Sequence, residues 1–192
     1  KYKMKKLQVA IIGCGKHPVD FHIPSFKRLN LKFNIIGVFD KDIKRAQKIK
    51  DQFKIQKLYK SLSALLKDEE VDVVDICSPA TKHYSQIMKS IDHNIKHIIV
   101  EKPFVTRFSQ IKSILKKNRI KKLNIICLCQ QRFREESKSL KNFLNNNKKE
   151  LGKIFRIEGR AIYKNRIPKQ IGNSFTNKNL SGGGPLMDHG SH

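Results

Sequence analysis

The sequence has no tryptophan, only five alanines, and no apolar run approaching the ~20 residues that a membrane-spanning helix needs. We therefore expect no membrane-spanning helix and no membrane partner. Acidic residues are also few, since 16 Asp and Glu stand against 41 Lys and Arg, which gives a formal net charge of +25. A positive charge of this size could attract nucleic acid or an anionic membrane.

The excess of basic residues is explained better by codon composition than by a nucleic-acid partner. It consists of 32 Lys and only 9 Arg spread over the whole chain, and Ile (24) and Asn (13) are also abundant. Lys, Ile and Asn are the residues of A/T-rich codons, whereas Arg, which suits bidentate contacts to phosphates and bases, is not enriched. Aromatic and basic residues form no stacking pattern. We therefore expect no nucleic-acid partner.

The cysteines form no CxxC pair and lie in or beside apolar, strand-like segments at Cys14, Cys77, Cys127 and Cys129. This pattern favours buried free thiols in a reducing compartment, so we expect a cytoplasmic protein. The sequence also lacks an HExxH motif, and its cysteines do not have the spacing of a zinc site. We therefore expect no metal centre.

Short, β-branched apolar segments alternate with helix-forming segments over the first 131 residues. The predicted strands are 7–13, 33–40, 71–79, 96–103 and 123–130. The predicted helices between them include 41–53, 61–70, 81–94 and 108–119. Continuous apolar strands separated by helices are typical of a parallel sheet covered on both faces. Right-handed crossovers then give a doubly wound α/β sheet, the Rossmann fold, which binds ligands outside the carboxyl ends of its strands.

The pattern changes after residue 131. Segment 132–150 has the composition of a polar helix, and segment 152–164 alternates like a strand of an antiparallel sheet. A polar loop then leads to "GGGPLMDHGSH" at 182–192. We therefore predict two domains, the doubly wound domain over 1–131 and the beginning of an α+β domain over 132–192.

The segment "GCGKHP" at 13–18 follows the first strand and precedes a helix, which is where a dinucleotide-binding fingerprint belongs. Gly13 would allow the tight turn, and Gly15 would let a pyrophosphate approach the backbone near the N–H groups of the helix. Pro18 stands where the third glycine of the fingerprint would be. A purely structural turn would also contain such glycines, but the position after a strand favours a cofactor.

Asp40 ends the second predicted strand, 25 residues after Gly15. A carboxylate at this place can accept hydrogen bonds from the ribose hydroxyls of adenosine, which favours NAD over NADP. Asp40 could instead cap the helix that follows, and Lys41 leaves room for a 2′-phosphate. The sequence therefore predicts NAD as the cofactor, with NADP as the alternative.

Two further segments, "SPATKHY" at 78–84 and "EKP" at 101–103, end strands at the same edge of the sheet. A lysine beside a nicotinamide ring can exchange a proton with a substrate hydroxyl, because desolvation and the positive ring favour the neutral amine. Lys102 could equally be one of 32 solvated lysines. Asp188 and His192 share a helix face, so the carboxylate could orient the imidazole for acid–base chemistry. Alternatively, these two residues belong to a capped helix start.

These motifs, in this order and spacing, resemble the Gfo/Idh/MocA family, which includes glucose–fructose oxidoreductase and inositol dehydrogenase. The motifs are "GCGKHPVDFHIPSF", "VFDKD", "VDVVDICSPATKHYSQIM", "EKPF", "QQRF", "LGKIFRIEG" and "GGGPLMDHGSH". The resemblance implies an NAD-binding Rossmann domain followed by an α+β domain built on a large open sheet. It also implies a nicotinamide cofactor, a small sugar or polyol substrate, and a homo-oligomer when the protein is full-length.

The resemblance also assigns roles to residues. It places Lys102 near the nicotinamide and the reacting hydroxyl, and makes His192 the proton-transfer residue that Asp188 orients. Arg132 falls on the substrate side, next to Gln130. The residues that fall where family members line the cofactor are Gly13, Gly15, Lys16, His17, Asp40, Ser78, Pro79, His83, Glu101, Lys102 and Gln130.

The family pattern continues beyond the position of His192, so we expect the chain to be part of a longer protein. The predicted function is NAD-dependent hydride transfer between nicotinamide and a secondary alcohol or ketone of a sugar, polyol or sugar derivative. Two alternatives stay open. One is an NAD-dependent glycosidase on the same scaffold, and the other is a non-catalytic NAD-binding regulator.

Overall fold

A computed structural model describes residues 5–160, 182–183, 187 and 190, and the described strands form one parallel sheet. The strands are β1 (Leu7–Ile12), β2 (Phe33–Phe39), β3 (Lys57–Leu58), β4 (Val73–Ile76), β5 (His97–Val100) and β6 (Asn124–Cys127). All neighbouring pairs are parallel, in the order β3-β2-β1-β4-β5-β6. This is the order of the doubly wound dinucleotide-binding fold, so the predicted fold class is confirmed.

Helices connect the strands and lie on both sides of the sheet. They are α1 (Ile23–Arg28), α2 (Ile43–Phe53), α3 (Leu62–Leu66), α4 (Ala80–Asp92), α5 (Phe108–Lys121), α6 (Glu135–Asn146) and α7 (Lys148–Leu151). A π-helical turn over Pro18–His22 leads into α1, and a 3₁₀ turn over Gln130–Phe133 precedes α6. Asp42 and Ser61 cap α2 and α3, because their side chains accept hydrogen bonds from backbone N–H groups three residues further on.

Two hydrophobic clusters cover the two faces of the sheet. Ala10 and Ile12 of β1 belong to the cluster that also contains buried residues of α3, α4 and α5. Val9 and Ile11 of the same strand belong to the cluster that contains buried residues of α1 and α2. Because successive strand residues point to opposite faces, β1 is buried on both sides, as its continuous apolar sequence predicts.

The predicted strand over 152–164 is wrong for the described part of that segment. Residues 152–160 form no strand, and the side chain of Phe155 is 94% exposed. The physical reason is that no described strand pairs with this backbone, so the apolar alternation has no ladder to join. Residues 161–164 lie outside the described residues. The predicted helix over 132–150 is present as the 3₁₀ turn, α6 and α7, and the domain boundary between 131 and 132 stays a prediction.

Strand β3 has only two residues and was not predicted, because such a segment shows no periodicity. None of the described helices combines the length and the apolarity needed to cross a bilayer.

The turn after β1 packs closely against the backbone at the end of β4, and this packing can be tested by substitution. Gly13 has φ +100°, and a Cβ there would lie 2.8 Å from the carbonyl carbon and oxygen of Cys77. We therefore expect Gly13→Ala to lower the free energy of unfolding by roughly 3 kcal/mol, through backbone strain and overlap with the end of β4. Urea unfolding followed by circular dichroism measures this loss, and it suits a chain without tryptophan.

Gly15→Ala is the matched control for that substitution. A Cβ at Gly15 would meet no heavy atom within 4 Å, so we expect a change within about 0.5 kcal/mol. Equal urea midpoints for the two variants would show that the first turn does not pack against β4 in this way.

Candidate functional site

Three loops meet at the carboxyl edge of the sheet, where the strand order reverses between β1 and β4. The N–H of Gly13 donates to the carbonyl of Phe39 at 2.7 Å, which joins the end of β1 to the end of β2. The N–H of Cys77 donates to Ile12 at 2.8 Å, and that of Glu101 donates to Ile76 at 2.9 Å. These bonds place the glycine loop, the loop after β4 and the loop after β5 side by side. Open α/β sheets bind ligands at such a point.

The glycine loop leaves room for a ligand beside Gly15. The open space around this residue lies at the start of the helical segment, where backbone N–H groups favour an anion. Lys16 forms an exposed ion pair with Asp20 at 2.9 Å, and His17 follows it in the same helical segment. Pro18 stands in the first turn of the π-helical segment, where a missing N–H costs no hydrogen bond. The missing third glycine is therefore compatible with this turn.

Asp40 holds the glycine loop and does not cap α2. One oxygen, Oδ2, accepts a hydrogen bond from the N–H of Cys14 at 2.7 Å, and Oδ1 accepts one from the N–H of Asp42 at 2.8 Å. The cap of α2 is Asp42 itself. Each oxygen of the Asp40 carboxylate keeps a second lone pair for another donor, such as a ribose hydroxyl.

A cavity of about 450 Å³ adjoins Asp40 at the end of β2. Its lining residues are Phe39, Asp40, Lys41, Ile43, Leu58, Lys60, Ser61 and Leu62. Apolar walls with a carboxylate at one side have the chemistry that an adenosine group requires. The residues after β3 were missed by sequence reasoning, because β3 is too short to detect.

The residues predicted to line the cofactor after β4 divide into loop and buried positions. Ser78 donates its hydroxyl hydrogen to Oε1 of Gln86, and Pro79 precedes the first residue of α4. His83 is 1% exposed, and its Nδ1 and Nε2 lie 2.8 and 2.9 Å from the carbonyl oxygens of Pro103 and Ser78. His83 therefore lies behind the two loops that face the crevice and contacts both of them.

Glu101 connects the lysine loop to the helical segment after the glycines. Its Oε1 accepts hydrogen bonds from Nε2 of His17 at 3.1 Å and from Nε2 of His22 at 2.9 Å. Its Oε2 accepts the backbone N–H of Lys102 at 3.0 Å. Lys102 itself is partly exposed, and its peptide bond to Pro103 is cis. The carboxylate of Glu101 thus reaches both histidines and the main chain of the lysine.

His22 is a buried cation between two carboxylates. Its Nδ1 donates to Oδ2 of Asp75 at 2.8 Å, on the side opposite to Glu101. Burial alone would lower the pKa of His22, but the hydrogen bonds to Asp75 and Glu101 and their negative charges outweigh it and raise the pKa to about 10. Burial likewise opposes ionisation of Glu101, yet hydrogen bonds from His17 and His22 hold its pKa well below the usual range.

Sequence reasoning assigned no role to His22 or Asp75. The available signal was Asp75 itself, a carboxylate inside an otherwise apolar strand and 0% exposed in the fold. A buried carboxylate requires a compensating partner, and a basic side chain from a neighbouring element is one that can supply it.

The four cysteines are free thiols, of which Cys14 is buried, as predicted, and Cys77, Cys127 and Cys129 are partly buried. Burial, followed by the charge of Asp40, raises the pKa of Cys14 to about 12. Burial, followed by the charges of Asp75 and Glu101, raises the pKa of Cys77 well above its usual value. Both thiols are therefore protonated at neutral pH and are poor nucleophiles. The predicted cytoplasmic location stays a prediction.

Two groups of possible metal-binding atoms occur among the described residues, and both include His22. One joins His22 to His17 and Glu101, and the other joins it to Asp75 and Cys77. In both groups the ring of His22 makes hydrogen bonds of 2.8 to 2.9 Å to carboxylate oxygens, which account for the arrangement without an ion. The expected absence of a metal stays a prediction.

The remaining predicted residues lie at the margin of the described structure. Gln130 and Arg132 are exposed in the 3₁₀ turn that follows β6. Asp188 and His192 lie outside the described residues, so their position relative to Lys102 stays a prediction.

Solved structures similar to this chain have the same fold. GenD2 from gentamicin A biosynthesis, in complex with NAD, aligns with a TM-score of 0.78 at 19% identity, covering 99% of this chain and 52% of that chain. KijD10, a 3-ketoreductase from Actinomadura kijaniata in complex with NADP and TDP-benzene, aligns with a TM-score of 0.68 at 20% identity. That alignment covers 74% of this chain and 43% of KijD10.

A curated relative extends the similarity to sequence. D-glucoside 3-dehydrogenase of Escherichia coli (strain K12) is 28% identical over 188 residues, which are 97% of this chain and 51% of that enzyme. The chain therefore spans about half the length of this relative.

The family model described as "Oxidoreductase family, NAD-binding Rossmann fold" matches residues 7–128. This range contains all six described strands, the glycine loop and the lysine loop. The chain belongs to the Gfo/Idh/MocA family of NAD-binding oxidoreductases.

Proposed function

We propose that this protein transfers a hydride between NAD and a secondary alcohol or ketone of a sugar, polyol or sugar derivative. The observation that supports this most is the convergence of three features at one edge of the sheet. The open glycine turn, the cavity beside Asp40 and the Lys102 loop lie at the ends of strands β1, β2 and β5. Together they would hold the two ends of a dinucleotide, with a lysine at the reacting end.

In this proposal the cavity at the end of β2 holds the adenosine group. Asp40 would accept hydrogen bonds from the ribose hydroxyls, and the space at Gly15 would admit the pyrophosphate. A carboxylate repels a 2′-phosphate, which favours NAD. Lys41 and Lys60 line the same cavity and would attract that phosphate, so NADP is the weaker alternative.

The proton of the reaction would pass through side chains of this chain. The nicotinamide, when bound, supplies the position that accepts or gives the hydride. Lys102 would hold the substrate hydroxyl at its Nζ and take or return that proton. His192 is the second proton-transfer residue that we propose, with Asp188 orienting it, although both lie outside the described residues.

The names of the similar proteins suggest which substrate to test first. The name D-glucoside 3-dehydrogenase specifies position 3 of a glucoside, and KijD10 is likewise described as a 3-ketoreductase. We therefore propose a ring hydroxyl or ketone at that position, and methyl α-D-glucopyranoside as the first substrate. A homo-oligomeric state of the full-length protein is part of the same proposal.

Asp40→Asn tests the cofactor assignment. Asparagine keeps an acceptor for the N–H of Cys14 but removes the negative charge. We expect NAD⁺ to bind the wild-type chain more tightly than NADP⁺, and the variant to lose about tenfold in NAD⁺ affinity, or about 1.4 kcal/mol, while gaining in NADP⁺ affinity. Isothermal titration calorimetry with both dinucleotides measures the change.

Asp51→Asn, an exposed carboxylate on α2, is the matched control for that experiment and should leave both affinities unchanged. If wild type and Asp40→Asn have the same ratio of NAD⁺ affinity to NADP⁺ affinity, the placement of the ribose at Asp40 is contradicted.

Lys102→Met tests the proton-transfer role. Methionine keeps most of the side-chain length without an amine, so we expect kcat for NADH formation from NAD⁺ and methyl α-D-glucopyranoside to fall at least about 100-fold. The affinity for NAD⁺ should stay within about threefold, because the amine acts on the substrate oxygen. Absorbance of NADH measures the rate, and calorimetry measures the affinity.

Lys89→Met, an exposed lysine on α4, is the control and should keep full activity. Sugar hydrolysis without net NADH would replace the dehydrogenase with the glycosidase alternative. Binding of NAD⁺ with neither reaction, across a panel of sugars and polyols, would favour the regulator.

A further inference from the structure

We propose that His22 and His83 are positioning residues, which hold the Glu101–Pro103 loop from its two sides. They thereby fix the backbone position from which the Lys102 side chain extends. The role rests on the proposed function, since it matters for catalysis only if Lys102 transfers the proton. The contacts themselves are properties of the fold.

On one side of the loop, a chain of hydrogen bonds runs from the centre of the sheet to the lysine. Asp75 of β4 accepts from His22, His22 donates to Glu101, and Glu101 accepts the N–H of Lys102. The three contacts measure 2.8, 2.9 and 3.0 Å. His22 is 7% exposed and Asp75 is 0% exposed, so these bonds are shielded from water. The Glu101 carboxylate therefore has one orientation in which both of its oxygens are used.

On the other side of the loop, His83 of α4 holds the residue that follows the lysine. Its two ring nitrogens contact the carbonyl oxygens of Pro103 and Ser78. A carbonyl oxygen only accepts, and a neutral imidazole has a single N–H, so the ring donates to one of these two carbonyls at a time. His83 thus packs against both the lysine loop and the loop after β4, while His22 fixes the lysine loop to the segment after the glycines.

The two histidines act on different chemical groups, and this separates their effects. His22 faces ionisable groups from every element packed against it, which are Asp75, Cys77, Glu101 and His17. His83 contacts neutral carbonyls. Loss of the His22 cation therefore makes Glu101 easier to protonate, whereas loss of His83 changes only the geometry.

The position of the Lys102 backbone is important because it determines where the side-chain amine can reach. A displacement of about 1 Å at a reacting group can cost about 100-fold in rate. Both histidines are buried, so they would act on the reaction through Lys102.

The experiment compares three variants of the full chain with wild type. His22→Gln alone leaves Asp75 as an uncompensated buried charge, so the double variant His22→Gln/Asp75→Asn removes both charges and keeps a polar pair. His83→Gln tests the other side. His93→Gln, which removes an exposed histidine of the same chain, is the control.

The first measurement needs neither substrate nor cofactor. Nitrogen NMR of the histidine rings should show His22 protonated on both nitrogens at neutral pH, since its pKa is raised to about 10. The amide hydrogen of Lys102 should exchange with solvent at least about tenfold faster in the double variant and in His83→Gln than in wild type. The amide of Val74 in β4 should keep its exchange rate. A neutral His22, or an unchanged rate at Lys102, would overturn the proposal even if the protein has no dehydrogenase activity.

The second measurement is the pH dependence of stability. A raised pKa stabilises the fold fully below the unfolded value of about 6.5 and loses that contribution as the pH rises toward 10. The unfolding equilibrium constant of wild type should therefore increase roughly 10- to 100-fold between pH 6 and pH 8.5. The double variant should lack this dependence. Parallel pH curves for wild type and the double variant would overturn the assignment of the charge to His22.

The third measurement is kinetic, with NAD⁺ and methyl α-D-glucopyranoside. We expect kcat to fall roughly 10- to 100-fold in the double variant and in His83→Gln, while KM and the affinity for NAD⁺ stay within about threefold. The acid limb of the pH–rate profile should move to higher pH in the double variant only. Unchanged kcat in folded variants that bind NAD⁺ would overturn the positioning role. If wild type itself shows no turnover, the proposed function fails, and the amide exchange of Lys102 decides the positioning role.

Discussion

The arrangement of the site depends on one buried ion pair network, in which His22 carries the positive charge. It links His22, after the glycine loop, to a residue of β4 that lies 53 residues away and to one after β5 that lies 79 residues away. Desolvating one cation and two anions is expensive, and removal of a single partner leaves an unpaired charge in a dry environment. The network therefore tolerates one relative placement of the three segments. That placement brings the glycine turn and the lysine loop to the same crevice.

A second constraint acts on the same edge through sterics. The turn at Gly13 approaches the backbone of Cys77 so closely that no side chain fits. The ion pairs of His22 specify this geometry through charge, and the close packing at Gly13 specifies the same geometry through volume. Agreement between independent local preferences is what gives a sequence one fold.

Much of this architecture could be predicted from sequence because it follows from periodicity. Buried parallel strands read as apolar runs, and each of the five predicted strands contains the observed one. Strand β3 was missed because Lys57 and Leu58 are too few to show a pattern, and the cavity that β3 helps to form was missed with it. The predicted strand over 152–164 is wrong in its described part, 152–160, for another reason. Alternation indicates a tendency to pair, but pairing needs a neighbouring strand.

The candidate site was partly predictable for a similar reason. Residues at strand ends, such as Gly13, Asp40 and Lys102, were found because topology alone brings them to one edge. His22 and Asp75 were not found, because their importance comes from a contact across 53 residues that no local pattern encodes. Likewise, a sequence cannot show that His83 is buried behind the crevice rather than lining it.

The charges around the cavity at the end of β2 make the expected choice between NAD and NADP depend on ionic strength as well as on the protein. Asp40 shares the cavity lining with two lysines, and the overall charge of +25 adds to their field. In the proposed binding mode, the wider positive field would attract a 2′-phosphate over distances that salt screens, since the Debye length is about 10 Å at 0.1 M. The carboxylate, by contrast, would act at direct contact through hydrogen bonds to the ribose, where screening has little effect. We therefore expect discrimination between the two dinucleotides to depend on the ionic environment as well as on the protein, and to be sharper in concentrated salt than in dilute buffer.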